Sequence, residues 1–260
     1  MNSKSRLTIN HLYSKSLNIY GDLGNIIALR YLCGQLGVDL NVVNTEIGDK
    51  LTPADIYFIG GGQDRDQLVV YEDLLKHKEE LGREVERNKV FLLVCGGFQL
   101  FGDFFVDGLG NKISGLGILP METKTPDNKV TSRSIGNLVV DMSGEFIKHW
   151  NIDTSFSKYL VGFENHGGQT TMNANFKMQN AKLEPIGDVV YGKGNNATDK
   201  VEGIWFKNVI GCYLHGSLLP KNPHLGVAII KKILGDSGNL GNINLDLEKK
   251  AHEEMLRRLL

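Results

Sequence analysis

The chain has 260 residues, and its hydrophobic content of 41% and charged content of 23% are ordinary for a soluble globular protein. The formal net charge of −1 gives no electrostatic reason to expect nucleic acid or an anionic membrane as the main partner. The three cysteines, Cys33, Cys95 and Cys212, have no close pairing, which argues against a disulfide framework and against a zinc or other metal site.

The sequence has no segment that predicts export or membrane insertion. No apolar run approaches the ~20 residues that span a bilayer, and the N-terminal residues lack the apolar core of a signal peptide. We therefore expect a cytoplasmic protein. The length fits one domain over residues 1–260, ending in an amphipathic helix over about 244–260. This helix packs either on the body of the protein, which we favour, or on a partner.

The first half of the chain alternates strands and helices. Its predicted elements are a strand at 7–13, a helix at 25–36, strands at 39–43 and 55–59, a charged helix at 64–87 interrupted at Gly82, and a strand at 90–94. This order predicts an α/β fold with a doubly wound, mostly parallel central sheet flanked by helices. In such a fold, ligands bind outside the carboxyl ends of the strands.

The second half of the chain is rich in short strands. They are predicted at 116–119, 137–140, 160–166, 188–191, 203–206 and 209–213, and a helix follows at 224–234. Paired polar residues, at 195–196 and 207–208, supply turns between neighbouring strands. We expect these strands to extend the central sheet in antiparallel order.

The most informative stretch is the apolar strand at 90–94, because Cys95 follows it directly and Gly96 and Gly97 come next. This order is typical of a nucleophile elbow, a sharp turn between a strand and a helix that exposes one side chain at the sheet edge. The helix N-terminus favours the thiolate form of that cysteine. The alternative is an ordinary buried thiol, but the glycines favour a nucleophile.

Three more glycines, Gly60, Gly61 and Gly62, follow the predicted strand at 55–59. Their backbone N–H groups can converge on a ligand. The segment lacks the G-x-G-x-x-G and G-K-[ST] patterns, which disfavours a phosphate-binding loop. The remaining interpretations are an oxyanion-binding loop beside Cys95, which we favour, and a plain glycine turn.

A cysteine nucleophile needs a base, and histidine is the usual one. Of the seven histidines, His166 and His215 stand at predicted strand ends with a glycine directly after them. A side chain in that position can project over the sheet edge. His215 ends a clean apolar strand, so we favour it as the base and keep His166 as the alternative.

The residues from Cys95 to Gln99, CGGFQ, fit the C-x-G-x-Q pattern of the triad (class I) glutamine amidotransferases. Within that family, the chain resembles the cobyric-acid-synthase-like branch, and most closely the glutaminase subunits of lipid II isoglutaminyl synthases. The strings that carry the resemblance are YGDLGNIIALR, IGGGQDRDQ, VCGGFQLFG, GFENHGGQT and GCYLHGSLLPKNP. They lie between residues 18 and 223 and so cover most of the chain.

The resemblance implies a glutamine-hydrolysing enzyme with the fold predicted above. Cys95 would attack the side-chain amide of glutamine, and His215 would protonate the departing ammonia. A glutamyl thioester would form and be hydrolysed by water that the histidine activates. The backbone N–H groups that would bind the oxyanion belong to Gly61, Gly62 and Gly96.

The same resemblance assigns substrate binding to two side chains. Gln99 would help to seat glutamine. Arg133 would hold the substrate carboxylate, which matches the forked geometry of a guanidinium group. From the sequence alone, a surface salt bridge is also a good interpretation of Arg133, so this assignment depends on the family resemblance.

The sequence departs from the family pattern at one position. Many triad amidotransferases have a glutamate two residues after the histidine, where this chain has Ser217. Either the site is a Cys–His dyad, or an acid from elsewhere orients His215. Glu164, in the string GFENHGG, is the candidate acid, and a structural hydrogen-bonding role is its alternative.

The resemblance also implies a second polypeptide. The chain has no G-x-x-x-x-G-K-[ST] sequence, so we expect no cofactor in this chain and place ATP and Mg²⁺ on a Mur-ligase-like partner subunit (MurT). That partner would use the ammonia to amidate the D-glutamate α-carboxyl of lipid II, giving D-isoglutamine in peptidoglycan.

Two other functions remain open on the sequence alone. A stand-alone cysteine hydrolase or peptidase would share Cys95 and His215 but gives no reason for Gln99. A non-catalytic regulatory module would bind a nucleotide through its glycine loops and would need neither catalytic residue.

Overall fold

The central sheet of the protein has six strands, of which five run parallel. The structure, a computed structural model, describes residues 5–126, 133–173, 183–235 and 243–260. The strands of this sheet, in spatial order, are β13 (Ile204–Phe206), β14 (Val209–Cys212), β4 (Val90–Val94), β3 (Ile56–Ile59), β1 (Arg6–Leu12) and β2 (Asp39–Thr45). Within this sheet β13 runs antiparallel, as the first strand of a hairpin with β14.

Three neighbouring strands place the candidate site residues at one edge of the sheet. β3 and β4 consist of aliphatic and aromatic residues, and both strands are buried along their whole length. Ile59 pairs with Leu93, and Cys212 at the end of β14 pairs with Val94. Because the three strands are parallel and end in register, the segments that follow them leave the sheet at the same edge.

Helices flank this sheet, which confirms the predicted fold class. Those in the described residues are α1 (Leu23–Gln35), α2 (Asp64–Lys76), α3 (Lys78–Glu86), α4 (Gly96–Leu100), α5 (Gly144–Trp150), α6 (Leu218–Lys221), α7 (Pro223–Leu234) and α8 (Asp246–Leu259). The predicted interruption at Gly82 is wrong, because the chain breaks at His77 instead. A Cβ atom at Gly82 would meet nothing within 4 Å, and one such glycine costs a helix about 1 kcal/mol without ending it.

The other described strands form two four-stranded sheets of their own. They are β10 (Gln169–Met172), β7 (Met121–Lys124), β5 (Phe104–Val106) and β6 (Lys112–Ser114) in one sheet, and β12 (Val201–Glu202), β11 (Gly187–Tyr191), β8 (Ser134–Met142) and β9 (Tyr159–His166) in the other. Among the described strands, the expected antiparallel extension of the central sheet is therefore limited to β13. The predicted strand at 116–119 is also wrong, because Leu116 and Leu119 donate backbone hydrogen bonds to Leu100 and Phe101 instead.

The central sheet and the β8–β9 sheet meet beside His215. The backbone N of His215 donates to the backbone O of Phe163 at 2.8 Å, and the N of Phe163 donates back at 3.2 Å. The side chain of Asn222 then acts as a further strand partner. Its Oδ1 accepts from the N of Val161 and its Nδ2 donates to the O of Val161, both at 2.8 Å. β9 is therefore fixed against the segment that carries His215.

The C-terminal helix α8 packs on the body of the protein through His252, which is completely buried. The Nδ1 atom of His252 lies 2.7 Å from the backbone O of Lys221, and its Nε2 atom lies 2.9 Å from Oγ of Ser157. This packing agrees with the favoured interpretation of the segment at 244–260. No helix in the described part of the chain is both long and apolar enough to cross a membrane. The single domain over 1–260 stays a prediction.

Replacing Asn222 with alanine should destabilise the fold strongly. The variant Asn222→Ala leaves the buried N–H and C=O groups of Val161 without partners, and each unpaired group costs about 1–3 kcal/mol. We expect the free energy of unfolding, measured by urea titration, to fall by about 2–4 kcal/mol. The matched control is Asn44→Ala, an exposed asparagine on β2, which should change it by less than about 1 kcal/mol. Equal losses in the two variants would contradict this role for Asn222.

Candidate active site

Cys95 occupies the sharp turn between β4 and α4, as the sequence predicts. Its dihedral angles, φ 49° and ψ −102°, lie outside the regions that L-residues usually adopt. Its backbone N donates to the O of Cys212 at 2.8 Å, which ties the turn to β14. Strained backbone of this kind is typical of a nucleophile elbow. α4 has only 5 residues, so we assign the electrostatic environment of Cys95 mainly to neighbouring side chains.

His215 follows β14 and is completely buried. Its Nδ1 atom lies 3.3 Å from Oδ1 of Asp22. Burial lowers the pKa of His215, but the negative charges of Cys95 and Asp22 and the hydrogen bond with Asp22 outweigh burial and raise the pKa to about 10. Cys95 and His215 thus follow the neighbouring strands β4 and β14 at one edge of the sheet, close enough for the charge of Cys95 to influence the pKa of His215.

Asp22, which the sequence analysis did not single out, holds the histidine in place. Its carboxylate is completely buried just before α1. Oδ2 accepts a hydrogen bond from the backbone N of Gly61 at 2.7 Å, and Oδ1 faces Nδ1 of His215. A carboxylate in this position favours the tautomer with hydrogen on Nδ1 and stabilises the imidazolium form. Cys95, His215 and Asp22 thus lie in the order that a nucleophile, a base and an orienting acid require.

Glu164 has other partners, which corrects its assignment as the acid beside His215. Its carboxylate oxygens accept hydrogen bonds from the backbone N of Lys193 at 2.8 Å and of Gly194 at 2.9 Å. Oε2 of Glu164 also lies 3.6 Å from Nε2 of His166. The candidate acid and the alternative base therefore pair with each other, and the position beside His215 belongs to Asp22.

The small side chain of Ser217 allows a distant loop to supply the acid. Its Oγ donates a hydrogen bond to the backbone O of Gly21, the residue before Asp22. A Cβ atom at Gly24 would collide with the same Oγ, so the two segments are in close contact. The loop before α1 therefore approaches His215 beside Ser217, the position at which many triad amidotransferases have a glutamate.

The glycine loop after β3 leaves one N–H group, rather than two, for an oxyanion. The N–H of Gly61 is bound to Asp22, which corrects the prediction that it donates to an oxyanion. The N–H groups of Gly62 and Gly96 make no hydrogen bond to any other described residue. A Cβ atom at Gly96 would lie 3.0 Å from the N of Gly62, so the two donors are neighbours. They lie next to Cys95 and suit a developing negative charge.

A cavity of about 550 Å³ opens beside Cys95. Gln99 and Arg133, the two side chains that the resemblance assigns to the substrate, both line it. Arg133 is exposed and donates through one terminal nitrogen to Oδ1 of Asn165 at 2.9 Å and to its backbone O at 3.3 Å. These bonds hold one end of the guanidinium group at the cavity, as a carboxylate-binding role requires.

Gln99 is buried and belongs to a chain of polar side chains in the cavity wall. Its Nε2 donates to the hydroxyl of Tyr213 at 3.1 Å, and its Oε1 accepts from Nε2 of Gln67 at 3.1 Å. The Tyr213 hydroxyl lies 2.6 Å from Oγ1 of Thr170, which lies 2.7 Å from Oγ1 of Thr123. Because the side chains fix one another, the cavity wall is ordered before a ligand binds.

The two remaining cysteines lie away from this cavity. Burial raises the pKa of Cys33 to about 11 and that of Cys212 well above its ordinary value. Both side chains are therefore neutral thiols near pH 7 and are completely buried. Of the three cysteines, Cys95 is the one that lines the cavity.

A second cavity, of about 630 Å³, lies at the opposite edge, at the amino ends of β1, β3 and β4. Four of its charged residues form two pairs, Lys89 with Asp55 at 2.9 Å and Arg87 with Glu84 at 2.7 Å. It has no cysteine or histidine among its lining residues. In the described part of the chain, no cluster of three or more His, Cys, Asp or Glu side chains is arranged to hold a metal ion.

Comparison with known proteins identifies the family. A model of the CobB/CobQ-like glutamine amidotransferase domain matches residues 8–223. The chain is 36% identical over 253 residues to the GatD subunit of lipid II isoglutaminyl synthase (glutamine-hydrolyzing) from Streptococcus pneumoniae, covering 96% of this chain and 87% of the relative. It is 38% identical over 228 residues to the subunit of the same name from Staphylococcus aureus, covering 87% and 84%.

A solved structure shows the same fold at lower identity. PurLQS from Thermotoga maritima aligns with a TM-score of 0.53 at 16% identity, covering 89% of this chain and 98% of that chain. The fold is thus shared well beyond the close relatives, while the sequence relationship lies with the GatD subunits. The chain therefore belongs to the CobB/CobQ-like glutamine amidotransferases, in the branch of the GatD subunits of lipid II isoglutaminyl synthase.

Proposed function

We propose that this chain is the glutaminase subunit of a two-chain amidotransferase. It hydrolyses L-glutamine to glutamate and ammonia and passes the ammonia to a Mur-ligase-like, ATP-dependent partner (MurT), which amidates the D-glutamate α-carboxyl of lipid II. The product is D-isoglutamine in peptidoglycan. The observation that carries the proposal is the series Cys95–His215–Asp22 beside a cavity lined by Gln99 and Arg133.

The first half of the proposed reaction forms a glutamyl thioester. The Cys95 thiolate attacks the side-chain carbonyl carbon of glutamine, and the carbonyl oxygen gains negative charge. The N–H groups of Gly62 and Gly96 stabilise that charge, and losing one such donor typically costs ~10²–10³ in rate. The His215 imidazolium then gives its Nε2 proton to the substrate nitrogen, the C–N bond breaks, and ammonia leaves.

The second half of the proposed reaction hydrolyses the thioester. The neutral His215 accepts a proton from water through Nε2, and the resulting hydroxide attacks the thioester carbonyl carbon. The C–S bond breaks, glutamate leaves, and the Cys95 thiolate and His215 imidazolium are restored. Asp22 keeps the ring oriented through Nδ1 in both halves, so the same nitrogen serves as acid and then as base.

The ATP-dependent step is assigned to the partner in this proposal. Both GatD relatives are named as subunits of a synthase, which supports a second chain. Glutamine hydrolysis and lipid II amidation can be measured with this chain alone, with MurT alone and with both. Amidation from glutamine should require both chains together with ATP and Mg²⁺. Amidation of lipid II by this chain alone would contradict the assignment.

A glutamine-analogue electrophile, 6-diazo-5-oxo-L-norleucine, should label Cys95 and neither Cys33 nor Cys212. Cys95 lines the cavity, whereas the other two are completely buried thiols with raised pKa values. Mass spectrometry of the digested protein locates the adduct. The control, Cys95→Ala, should show no adduct and no glutamine hydrolysis. Labelling of either buried cysteine at a comparable rate would contradict the assignment of the nucleophile.

The variant Asp22→Asn should lower kcat by about 10²–10⁴-fold, because an amide has one acceptor oxygen where the carboxylate serves both the N–H of Gly61 and Nδ1 of His215. The His215 imidazolium also loses a neighbouring negative charge, so its pKa falls. The proposed reaction needs that imidazolium, and activity is lost as the pH rises through its pKa. The alkaline limb of the kcat/KM profile should therefore move to lower pH in the variant.

The comparison variant for Asp22→Asn is Glu164→Gln, which changes the acid originally assigned to the site. Because Glu164 bonds to backbone N–H groups of Lys193 and Gly194, the alkaline limb should keep its position in that variant. A shift of the limb in Glu164→Gln, with none in Asp22→Asn, would reverse the assignment of the two acids.

The variant Arg133→Ala should raise KM for glutamine by about 10–150-fold with little change in kcat, since a charge-assisted hydrogen bond contributes ~1.5–3 kcal/mol. The matched control is Arg65→Ala, because Arg65 is an exposed arginine that lines the same cavity. Steady-state kinetics of ammonia release give both constants. An equal rise in KM in the two variants would show a general charge effect in place of a specific carboxylate contact.

A further inference from the structure

Gln67 is a buried residue of α2 that the proposed mechanism does not use. Its side chain is 2% exposed and lines the cavity beside Cys95. Its Nε2 donates to the backbone O of Gly62 at 3.3 Å and to Oε1 of Gln99 at 3.1 Å. Its Oε1 is buried and accepts no hydrogen bond from any described residue. A good acceptor is therefore left without a donor in the wall of the site.

The orientation of this carboxamide follows from its neighbours. The Gly62 carbonyl oxygen can accept but cannot donate, so the nitrogen of Gln67 must face it. The second hydrogen on the same nitrogen is taken by Gln99. Turning the amide over would place two acceptors opposite each other. Oε1 is thereby fixed as the free atom, and an unpaired buried acceptor costs about 1–3 kcal/mol unless something donates to it.

A bound glutamine has two groups that can supply the missing donor. Its amide oxygen and its α-carboxylate are acceptors, and they are assigned to the Gly62 and Gly96 donors and to Arg133. The side-chain nitrogen must meet His215, because it leaves as ammonia. The α-ammonium group remains, a cation with three N–H donors.

Two other buried side-chain acceptors in the cavity are already occupied. The buried carboxylate of Asp107 accepts hydrogen bonds from the backbone N of Leu109 and from the backbone and side chain of Asn111. The carboxamide of Gln99 is bound to Gln67 and Tyr213. Two buried side-chain atoms of this wall, Oε1 of Gln67 and Nε2 of His166, lack a hydrogen-bond partner among the described residues. Nε2 of His166 faces the carboxylate of Glu164 at 3.6 Å, so Oε1 of Gln67 is the oxygen acceptor left for a donor on the ligand.

We propose that Oε1 of Gln67 accepts a hydrogen bond from the α-ammonium group of glutamine and makes the site selective for amides that carry an α-amino group. This inference rests on the proposed glutaminase function. It predicts that an amide with the same chain but no α-amino group, 4-carbamoylbutanoate, binds the parent protein more weakly than L-glutamine.

The test compares the two amides in the parent and in Gln67→Met, each assembled with the partner subunit. Methionine keeps the length of the side chain but offers no carbonyl oxygen. We expect KM for L-glutamine to rise by about 5–150-fold, the range that the loss of an acceptor for a charged donor implies. Methionine also removes the donor to Gly62 and Gln99, so the constant for 4-carbamoylbutanoate, measured as KM or as the inhibition constant against L-glutamine, should rise as well, but by at least about fivefold less than KM for L-glutamine. A variant that still binds 4-carbamoylbutanoate is folded.

The parent protein supplies a second measurement that does not depend on the variant folding. Its KM for L-glutamine should be at least about tenfold below its constant for 4-carbamoylbutanoate. Equal constants for the two amides in the parent overturn the proposal. An equal rise in both constants in Gln67→Met overturns it as well. A parent that hydrolyses neither amide, even with its partner, refutes the glutaminase function itself, so the two failures are distinguishable.

Discussion

The carboxylate of Asp22 holds together the parts of the fold on which the site depends. One oxygen accepts the N–H of Gly61, from the loop after β3, and the other faces Nδ1 of His215, after β14. These two segments flank Cys95, which follows the strand between them. The contact is close, since a Cβ atom at Gly61 would lie 2.7 Å from Cε1 of His215. A single buried acid therefore sets the distance between the histidine and the glycine loop.

This arrangement separates the orienting acid from the histidine segment. Ser217, two residues after His215, contacts the backbone of Gly21. The loop before α1 therefore places Asp22 beside the histidine, although the two residues are far apart in the sequence. A buried carboxylate is costly unless it is hydrogen-bonded and paired. Here it receives a backbone N–H and a histidine whose pKa is raised, so the charge is balanced inside the site. The same pair of contacts that stabilises the buried charge also orients the ring.

The sequence predicts those parts of the site that depend on local order. Cys95 and His215 follow apolar strands, and parallel strands bring their carboxyl ends to one edge whatever the rest of the fold does. Asp22 could not be found in this way, because 193 residues separate it from His215 and only tertiary packing brings them together. The sequence could not decide between the two interpretations of Glu164 for the same reason, since a motif shows that an acid lies near a sheet edge but not which group it contacts. The short strands β5 to β7, with three or four residues each, also carry too little alternation to be recognised.

The pairing of polar groups in the cavity wall explains how one substrate can be distinguished from similar amides. Most buried polar groups there bond to each other, so they are fixed and add no new contact when a ligand enters. The groups that lack a described hydrogen-bond partner include the N–H of Gly62, the N–H of Gly96, Nε2 of His215 and Oε1 of Gln67. Two donors beside the sulfur suit an oxygen that gains charge, and a ring nitrogen beside the same sulfur suits a proton transfer. The unpaired acceptor suits a separate N–H donor on the ligand. A buried donor or acceptor that finds no partner on the ligand costs free energy. These four positions therefore disfavour an amide that lacks the matching group, as well as favouring one that carries it.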